Sequence, residues 1–157
     1  MIAGLAIYSA IVPQHFREYR AMSLLSWRPD YSVGIDAIDA EHRHLFDLIN
    51  RFHDNFQQGY SLAELRRVLS QLVAYSEQHF QREQAAMALI EYPQLAEHTR
   101  IHEELYLAIF DLENRMTERP QSVDLDTLRF LRGWLLDHIL DYDMQFGTFA
   151  ARRGAGA

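Results

Sequence analysis

Six residues that can bind a metal ion lie at helical spacing along predicted apolar helix faces. They are His42, His79, Glu83, His98, His102 and His138. His98 and His102 stand four residues apart, so their rings lie only about 40° apart around a helix. The chain has no cysteine, which excludes disulfides, iron–sulfur clusters and cysteine-based zinc sites. The residue types therefore predict a site in which imidazole nitrogens and carboxylate oxygens hold the metal.

Each of these residues has an ordinary structural explanation when it is taken alone. A single histidine on an apolar face is usually a core residue that is hydrogen-bonded to a neighbour. A His–Glu pair four residues apart resembles a surface pair worth about 0.2–0.5 kcal/mol. Together, however, these imidazoles and the carboxylate in one buried layer would cost about 1–3 kcal/mol for each unpaired group. Because a shared metal would satisfy all of them, joint coordination is the favoured interpretation.

Helices must position these side chains, because apolar residues recur at steps of three and four along most of the chain. Three clusters of turn residues divide the pattern: Gly59-Tyr60-Ser61, Tyr92-Pro93 and Pro120-Gln121-Ser122. Ser61 and Glu64 have the form of a capping box. Asp36 and Asp124 are predicted N-caps. Since short connections make successive helices antiparallel neighbours, the sequence predicts an all-α, up-down-up-down four-helix bundle with the metal site buried inside.

The candidate ligands lie at matching distances from the predicted turns. His79 and His102 are equally far from the turn near residue 90, and so are Glu83 and His98. His42 lies about as far before the turn near residue 61 as the His79/Glu83 pair lies after it. His138 lies about as far after the turn near residue 120 as the His98/His102 pair lies before it. In antiparallel helices, residues equally distant from a turn lie at the same height, so all six side chains are expected in one layer.

A second carboxylate is expected near His138, where three aspartates are candidates. They are Asp137, Asp141 and Asp143. On an ideal α-helix Asp141 lies near the face of His138, whereas Asp143 lies about 140° away. Asp143 would need a local π-type distortion or an approach from the flank. Helical geometry alone thus favours Asp141 and leaves Asp143 as an alternative.

Length and charge limit the other functions. The chain has 157 residues, about one domain, and a formal net charge of -7 without a run of Lys or Arg, so nucleic acid is not an expected partner. The apolar start "MIAGLAIYSAIVP" is shorter than the roughly 20 residues of a bilayer span. We expect an extension at residues 1–22, a four-helix domain at residues 23–152 and a flexible tail at residues 153–157. A cytoplasmic monomer without a membrane anchor is the expected form.

Several motifs resemble the hemerythrin family in its bacterial single-domain form. They are "IDAEHRHLFDLIN" around His42, "HFQRE" from His79, "HTRIH" from His98 and "HILDYD" from His138. "WRPDYSVGI" before the first helix and "WLLDH" in the last are similar too, so the resemblance covers about residues 27–149. It implies a four-helix bundle with two non-haem irons in its interior.

The resemblance also implies a role for each site residue. One iron would be held by His98, His102 and His138, the other by His42 and His79, and both by the bridging carboxylates Glu83 and Asp143. An oxo or hydroxo group would complete an Fe–O–Fe or Fe–OH–Fe bridge. The resemblance thus selects Asp143 over Asp141. The second iron would keep an open position for dioxygen, so the implied function is reversible dioxygen binding for transport, storage or delivery, without catalysis.

Other uses of such a site are alternatives. They are oxygen or redox sensing through an unidentified protein partner, iron storage, and a di-iron oxidase or a scavenger of peroxide or nitric oxide. Ferritin-like bundles use Glu-x-x-His on two helices, and no inward position has that motif. Zinc or manganese also suits nitrogen and carboxylate ligands. The chain departs from the family at Gln84, where a second Glu is frequent, and in "DMQFGTF" after the last aspartate, so tuning of the site is expected to differ.

Overall fold

The computed structural model describes residues 23–119 and 123–154, and these residues form four long helices without a strand. The first three are α1 (Asp36–Gln57), α2 (Leu62–Leu89) and α3 (Leu95–Glu118). The fourth consists of α4 (Leu125–His138), a π-helical segment (Ile139–Asp143) and α5 (Met144–Gly154). Helix α1 packs on α2 and α4, and α2 packs on α3. The predicted four-helix bundle is confirmed.

Two of the three predicted helix caps are confirmed. At the start of α2, the Ser61 hydroxyl accepts a hydrogen bond from the Glu64 backbone N–H at 3.3 Å. The Glu64 carboxylate in turn accepts one from the Ser61 N–H at 3.1 Å. At the start of α4, the Asp124 carboxylate accepts a hydrogen bond from the Thr127 N–H at 2.9 Å. These caps satisfy backbone donors that the first helical turn leaves unpaired, which explains where both helices begin.

Asp36 is not the N-cap of α1, and the prediction for this helix end is wrong. The helix begins at Asp36 itself, after Ile35, and no side chain caps it. Asp39 orders this end of the helix instead. Its carboxylate accepts hydrogen bonds from the Val33 N–H at 2.8 Å and from the Ser32 hydroxyl. Asp39 thus holds the incoming loop over the first turn, and Asp36 is exposed.

The segment before α1 lies along that helix. Leu25 and the side-chain amide of Asn50 exchange two hydrogen bonds, at 2.9 and 2.8 Å. The Trp27 ring packs edge-on against Phe46, with 5.5 Å between ring centroids. At the other end of the chain, α5 continues through Gly154, two residues beyond residue 152, the expected end of the domain.

Two expectations fall on parts of the chain outside the described residues. They are the extension at residues 1–22 and the turn at residues 120–122. Within the ranges 23–119 and 123–154, no helix combines the length and apolar character that crossing a membrane requires.

Apolar side chains fill the bundle in two clusters. The larger cluster includes Phe52, Leu69, Ile109 and Leu131. The smaller cluster consists of Met87, Tyr92 and Phe146. On α2 and on the fourth helix, buried polar side chains lie between residues of the two clusters, and α1 and α3 contribute buried histidines beside them. This polar layer holds the residues that the sequence selects as metal ligands.

Candidate metal centre

All seven side chains that the sequence and the family resemblance select are buried in the polar layer. Their exposed fractions are His42 0%, His79 1%, Glu83 0%, His98 3%, His102 1%, His138 4% and Asp143 0%. Helix α1 contributes one of them, α2 and α3 contribute two each, and the fourth helix contributes the last two. Since ionisable residues are seldom fully buried without partners, this layer needs a specific explanation.

The seven side chains form two groups that share both carboxylates. The three-imidazole group consists of Glu83, His98, His102, His138 and Asp143. The two-imidazole group consists of His42, His79, Glu83 and Asp143. Within each group, one ligand atom from every residue lies within 4.8 Å of all the others. Each group is therefore compact enough for all of its members to contact one metal ion.

The two oxygens of Asp143 face different groups. Oδ1 lies 2.9 Å from His138 Nε2 and 3.2 Å from His98 Nε2, both in the three-imidazole group. Oδ2 lies 3.2 Å from Nε2 of His42 in the two-imidazole group. One carboxylate that points an oxygen into each group is suited to bridge two cations.

Several buried polar atoms in this layer have no hydrogen bond from the described part of the chain. They are both carboxylate oxygens of Glu83 and of Asp143, both ring nitrogens of His42, and Nδ1 of His138. Leaving such groups unpaired costs about 1–3 kcal/mol each, and more when they are charged. In addition, Nε2 of His102 lies 3.0 Å from that of His98 and 2.9 Å from that of His138. Cations would satisfy these atoms together, so the donor set fits a pair of metal ions.

The π-helical segment explains how Asp143 reaches the site. The Met144 N–H donates to the Ile139 carbonyl, five residues back, so the local turn is wider than an α-helical turn. The wider turn brings Asp143, five residues after His138, onto the same inward face. Asp141 is exposed. The preference that ideal helical geometry gives to Asp141 is therefore wrong, because the helix is not α-helical between these residues.

Neighbouring imidazoles keep both carboxylates ionised. Burial raises the pKa of Glu83, but the imidazoles of His102 and His98, whose Nε2 atoms lie 3.2 and 3.3 Å from its Oε2, outweigh that effect and lower the pKa to about 2. Burial also opposes ionisation of Asp143. The charge of His138 and its close contact with Asp143, with further contacts from His42 and His98, nevertheless hold the pKa of Asp143 well below its usual value. Both groups are thus carboxylates at neutral pH, which is the form that binds cations.

Two imidazoles of the three-imidazole group respond oppositely to their surroundings. Burial disfavours the charged form of His98, but the carboxylates of Asp143 and Glu83, at 3.2 and 3.3 Å from its Nε2, outweigh burial and raise its pKa to about 9. The pKa of His102 is lowered to about 4, chiefly by burial and also by the charges of His138 and His98. A metal binds only the neutral ring. Metal uptake at pH 7 must therefore displace a proton from His98, whereas His102 is already neutral.

Two polar side chains outside the predicted ligand set contact the outer nitrogens of two predicted ligands. A carboxylate oxygen of Glu41 lies 2.8 Å from Nδ1 of His79, and Glu41 also forms an ion pair with Arg82. The side-chain amide of Gln84 lies 3.0 Å from Nδ1 of His102. Gln84 is visible in the sequence as a departure from the family pattern. No spacing rule identifies Glu41, because it lies 38 residues from His79 on another helix.

The two halves of the layer differ in their access to solvent. An open groove of about 540 Å³ between α3 and α4 is lined by residues that include Ile101, Trp134, Tyr142 and His138. The ring of Tyr142 stacks on that of His138, with 5.6 Å between centroids. His42, by contrast, has no exposed surface. His138 in the three-imidazole group thus borders the groove, whereas His42 in the two-imidazole group is enclosed.

The chain is similar to known proteins over most of its length. A family model described as the hemerythrin HHE cation binding domain matches residues 33–150. A bacteriohemerythrin from Methylococcus capsulatus is 30% identical over 127 residues, which are 80% of this chain and 96% of that protein. One from Stenotrophomonas maltophilia is 30% identical over 125 residues, 80% of each chain. A crystal structure of wild-type hemerythrin is 29% identical, with a TM-score of 0.74 over 80% of this chain and 96% of that one.

Proposed function

Because the chain belongs to the hemerythrin family, we propose that it binds dioxygen reversibly at two non-haem irons, as an oxygen carrier or store and not as an enzyme. The proposed ligands are His98, His102 and His138 for one iron, His42 and His79 for the other, and Glu83 and Asp143 for both. Relatives named bacteriohemerythrin, and the buried unpaired donors of the polar layer, support this function.

One observation carries the proposal, namely that the two groups of donors are unequal. The three-imidazole group offers five protein ligands, whereas the two-imidazole group offers four, and the same two carboxylates belong to both. A metal in the smaller group therefore has one protein ligand fewer than its neighbour. A site that binds a small exogenous ligand needs such an open position, and dioxygen is the ligand that two ferrous ions would attract.

When bound, the two ferrous ions would supply the two electrons that dioxygen takes up on binding and returns on release. The chain balances the charge of the metals with Glu83 and Asp143, because neutral imidazoles add none. Reduction of dioxygen beyond reversible binding requires protons from an acidic group. The pKa values of Glu83 and Asp143 both lie far below neutral, so neither carboxyl group can deliver such a proton.

Burial of the two-imidazole group supports reversibility in a second way. His42 and His79 are 0% and 1% exposed, so water has little access to the position where dioxygen would bind. Exclusion of water keeps protons and competing ligands away from the site. The bound gas could then leave as dioxygen.

The proposal is tested by absorption spectroscopy of the anaerobically reduced, iron-loaded protein. On admission of air we expect a visible band that disappears on degassing and returns over repeated cycles, with two irons per chain by elemental analysis. Irreversible bleaching, or continuous oxygen consumption with an added reductant, would instead indicate an enzyme. A purified chain that holds no metal pair after adequate iron supply would contradict the site itself.

Single substitutions separate the two halves of the site. His42→Ala or His79→Ala should abolish the reversible band, while the three-imidazole group still retains iron. His44→Ala is the matched control, because His44 lies two residues from His42 but is exposed. Normal oxygen binding by either of the first two variants would mean that the open position belongs to the other metal.

A further inference from the structure

Two of the proposed ligands are held from behind by a polar side chain, and the two partners differ in charge. Nδ1 of His79 lies 2.8 Å from a carboxylate oxygen of Glu41. Nδ1 of His102 lies 3.0 Å from the side-chain amide of Gln84. His79 belongs to the two-imidazole group and His102 to the three-imidazole group. One half of the site therefore has an anionic partner behind a ligand, and the other half has a neutral one.

Glu41 is itself held in place. It precedes His42 on α1 and reaches across to α2, and its side chain is only 16% exposed. Its other oxygen accepts a hydrogen bond from Nε of Arg82. The Arg82 guanidinium lies 5.6 Å from the centre of the Tyr75 ring. The Glu41 carboxylate is thus fixed between His79 and Arg82, and it links the two helices that supply both imidazoles of the two-imidazole group.

The two partners place different demands on the imidazole proton. An ionised carboxylate can only accept a hydrogen bond, so Glu41 requires the proton of neutral His79 on Nδ1. Nε2 of His79 is then left with its lone pair facing the site. An amide can donate or accept, because rotation by about 180° exchanges its oxygen and nitrogen. Gln84 therefore tolerates the His102 proton on either nitrogen, and only Glu41 selects the metal-binding form.

We propose that Glu41 is a positioning residue that acts through His79. It holds the His79 proton on Nδ1, aims Nε2 at the metal, and places a negative charge behind the two-imidazole half of the site. Gln84 supports His102 without that charge, so the two halves are tuned unequally by this chain. The inference rests on the proposed two-metal site and assigns a role to residues outside its ligand set.

The test compares metal binding by four variants of the full chain, with Zn²⁺ and Co²⁺ as probes. Glu41→Ala removes both the acceptor and the charge, Glu41→Gln keeps an acceptor but removes the charge, and Gln84→Glu adds a charge behind His102. The control is Asp111→Asn, which disrupts an exposed ion pair with Arg115 on α3. For each probe ion, the affinities of the two binding steps are measured by competition with a chelator. Circular dichroism of the metal-free proteins reports folding.

Glu41→Ala should weaken one of the two binding steps by about 10–100-fold, the usual range for loss of a partner behind a metal ligand, and leave the other unchanged. Glu41→Gln should weaken the same step by less, and Asp111→Asn should change neither. Proton NMR of the Co²⁺ form gives a readout that a general structural role would not change. Glu41→Gln should shift one exchangeable imidazole N–H signal, identified by its loss in His79→Ala, and Gln84→Glu should shift a different one.

Unchanged affinities together with an unchanged His79 N–H signal in Glu41→Gln would overturn the inference, and so would equal weakening of both steps. If Glu41→Ala does not fold, Glu41→Gln decides the outcome, because it preserves the size of the side chain. The proposed function fails separately, if the unmodified chain does not take up two metals. A chain that takes up two metals and is insensitive at Glu41 contradicts this inference alone.

Discussion

Gly147 in α5 is a position where one added methyl group would meet an obstacle. A Cβ atom there would lie 2.0 Å from the Val33 carbonyl oxygen and 2.9 Å from its carbonyl carbon. Both are backbone atoms, and Val33 is buried and hydrogen-bonded through its N–H to Asp39 at 2.8 Å. The obstacle is therefore the backbone of the loop and not a flexible side chain that could change its rotamer. We predict that Gly147→Ala destabilises the fold, although alanine is the better helix former.

The size of the effect follows from two opposing contributions. Replacing glycine by alanine inside a helix stabilises it by about 1 kcal/mol. Overpacking a well-ordered core costs about 1–3 kcal/mol, and a 2.0 Å approach to backbone places this site at the upper end of that range. The free energy of unfolding should therefore fall by about 2 kcal/mol, which lowers the melting temperature of a chain of this size by roughly 4–8 °C.

Gly133 in α4 provides the matched control. A Cβ atom there lies 3.6 Å from the Asp137 carboxylate, an ordinary van der Waals distance, so Gly133→Ala should leave stability unchanged or raise it by up to about 1 kcal/mol. Urea and thermal denaturation followed by circular dichroism should be run with a chelator, because a bound metal adds its own stabilisation. Equal effects of the two substitutions, or a more stable Gly147→Ala variant, would refute the reasoning.

Gly147 follows Asp143 by one helical turn, so the Gly147→Ala variant should also hold less iron.

Three further predictions concern the proposed ligands and a helix end. The nearby carboxylates of Asp143 and Glu83 outweigh burial and raise the pKa of His98 to about 9. The affinity for Zn²⁺ should therefore increase about tenfold per pH unit between pH 7 and 9 and then level off, since binding displaces that proton. Competition titrations at several pH values measure this, and a flat profile would mean that His98 is already neutral. Asp143→Asn should lower the metal content, measured by elemental analysis, below two ions per chain, whereas Asp141→Asn should not. Equal losses of metal in the two variants would contradict the inward position of Asp143. Ser61→Ala should lower the free energy of unfolding by about 1 kcal/mol through loss of its cap, and an unchanged urea midpoint would count against that cap.

Local patterns were sufficient to predict the bundle and much of the polar layer. The capping box of Ser61 and Glu64 acts within one turn, and the spacing of His98 and His102 places both rings on one face of an α-helix. Such features depend only on residues that are close in sequence. Their outcome could therefore be predicted before the packing of the helices was known.

The remaining features depend on how distant parts of the chain meet. Ideal helical geometry selects Asp141, and only the family resemblance pointed to Asp143, because a π-helical turn changes the spacing rule itself. Asp39 orders the start of α1 through loop residues whose path is not visible in the sequence. Glu41 contacts His79 only because α1 packs on α2 in one particular alignment, so no motif within either helix could reveal it.

The π-helical segment amounts to one additional residue, and that residue sets the angular phase of the whole C-terminal end. An α-helix turns by about 100° per residue, so the same residues wound as an uninterrupted α-helix would rotate α5 by about that angle relative to α4. Phe146, which packs against Tyr92 with 5.4 Å between ring centroids, and Gly147, which abuts Val33, would both turn away from their partners. The π-helical segment thus places the Asp143 carboxylate at the proposed metal site. It also aligns the contacts by which α5 packs on the loop before α1. Conversion of this segment to a regular α-helix of the same length would therefore lose both.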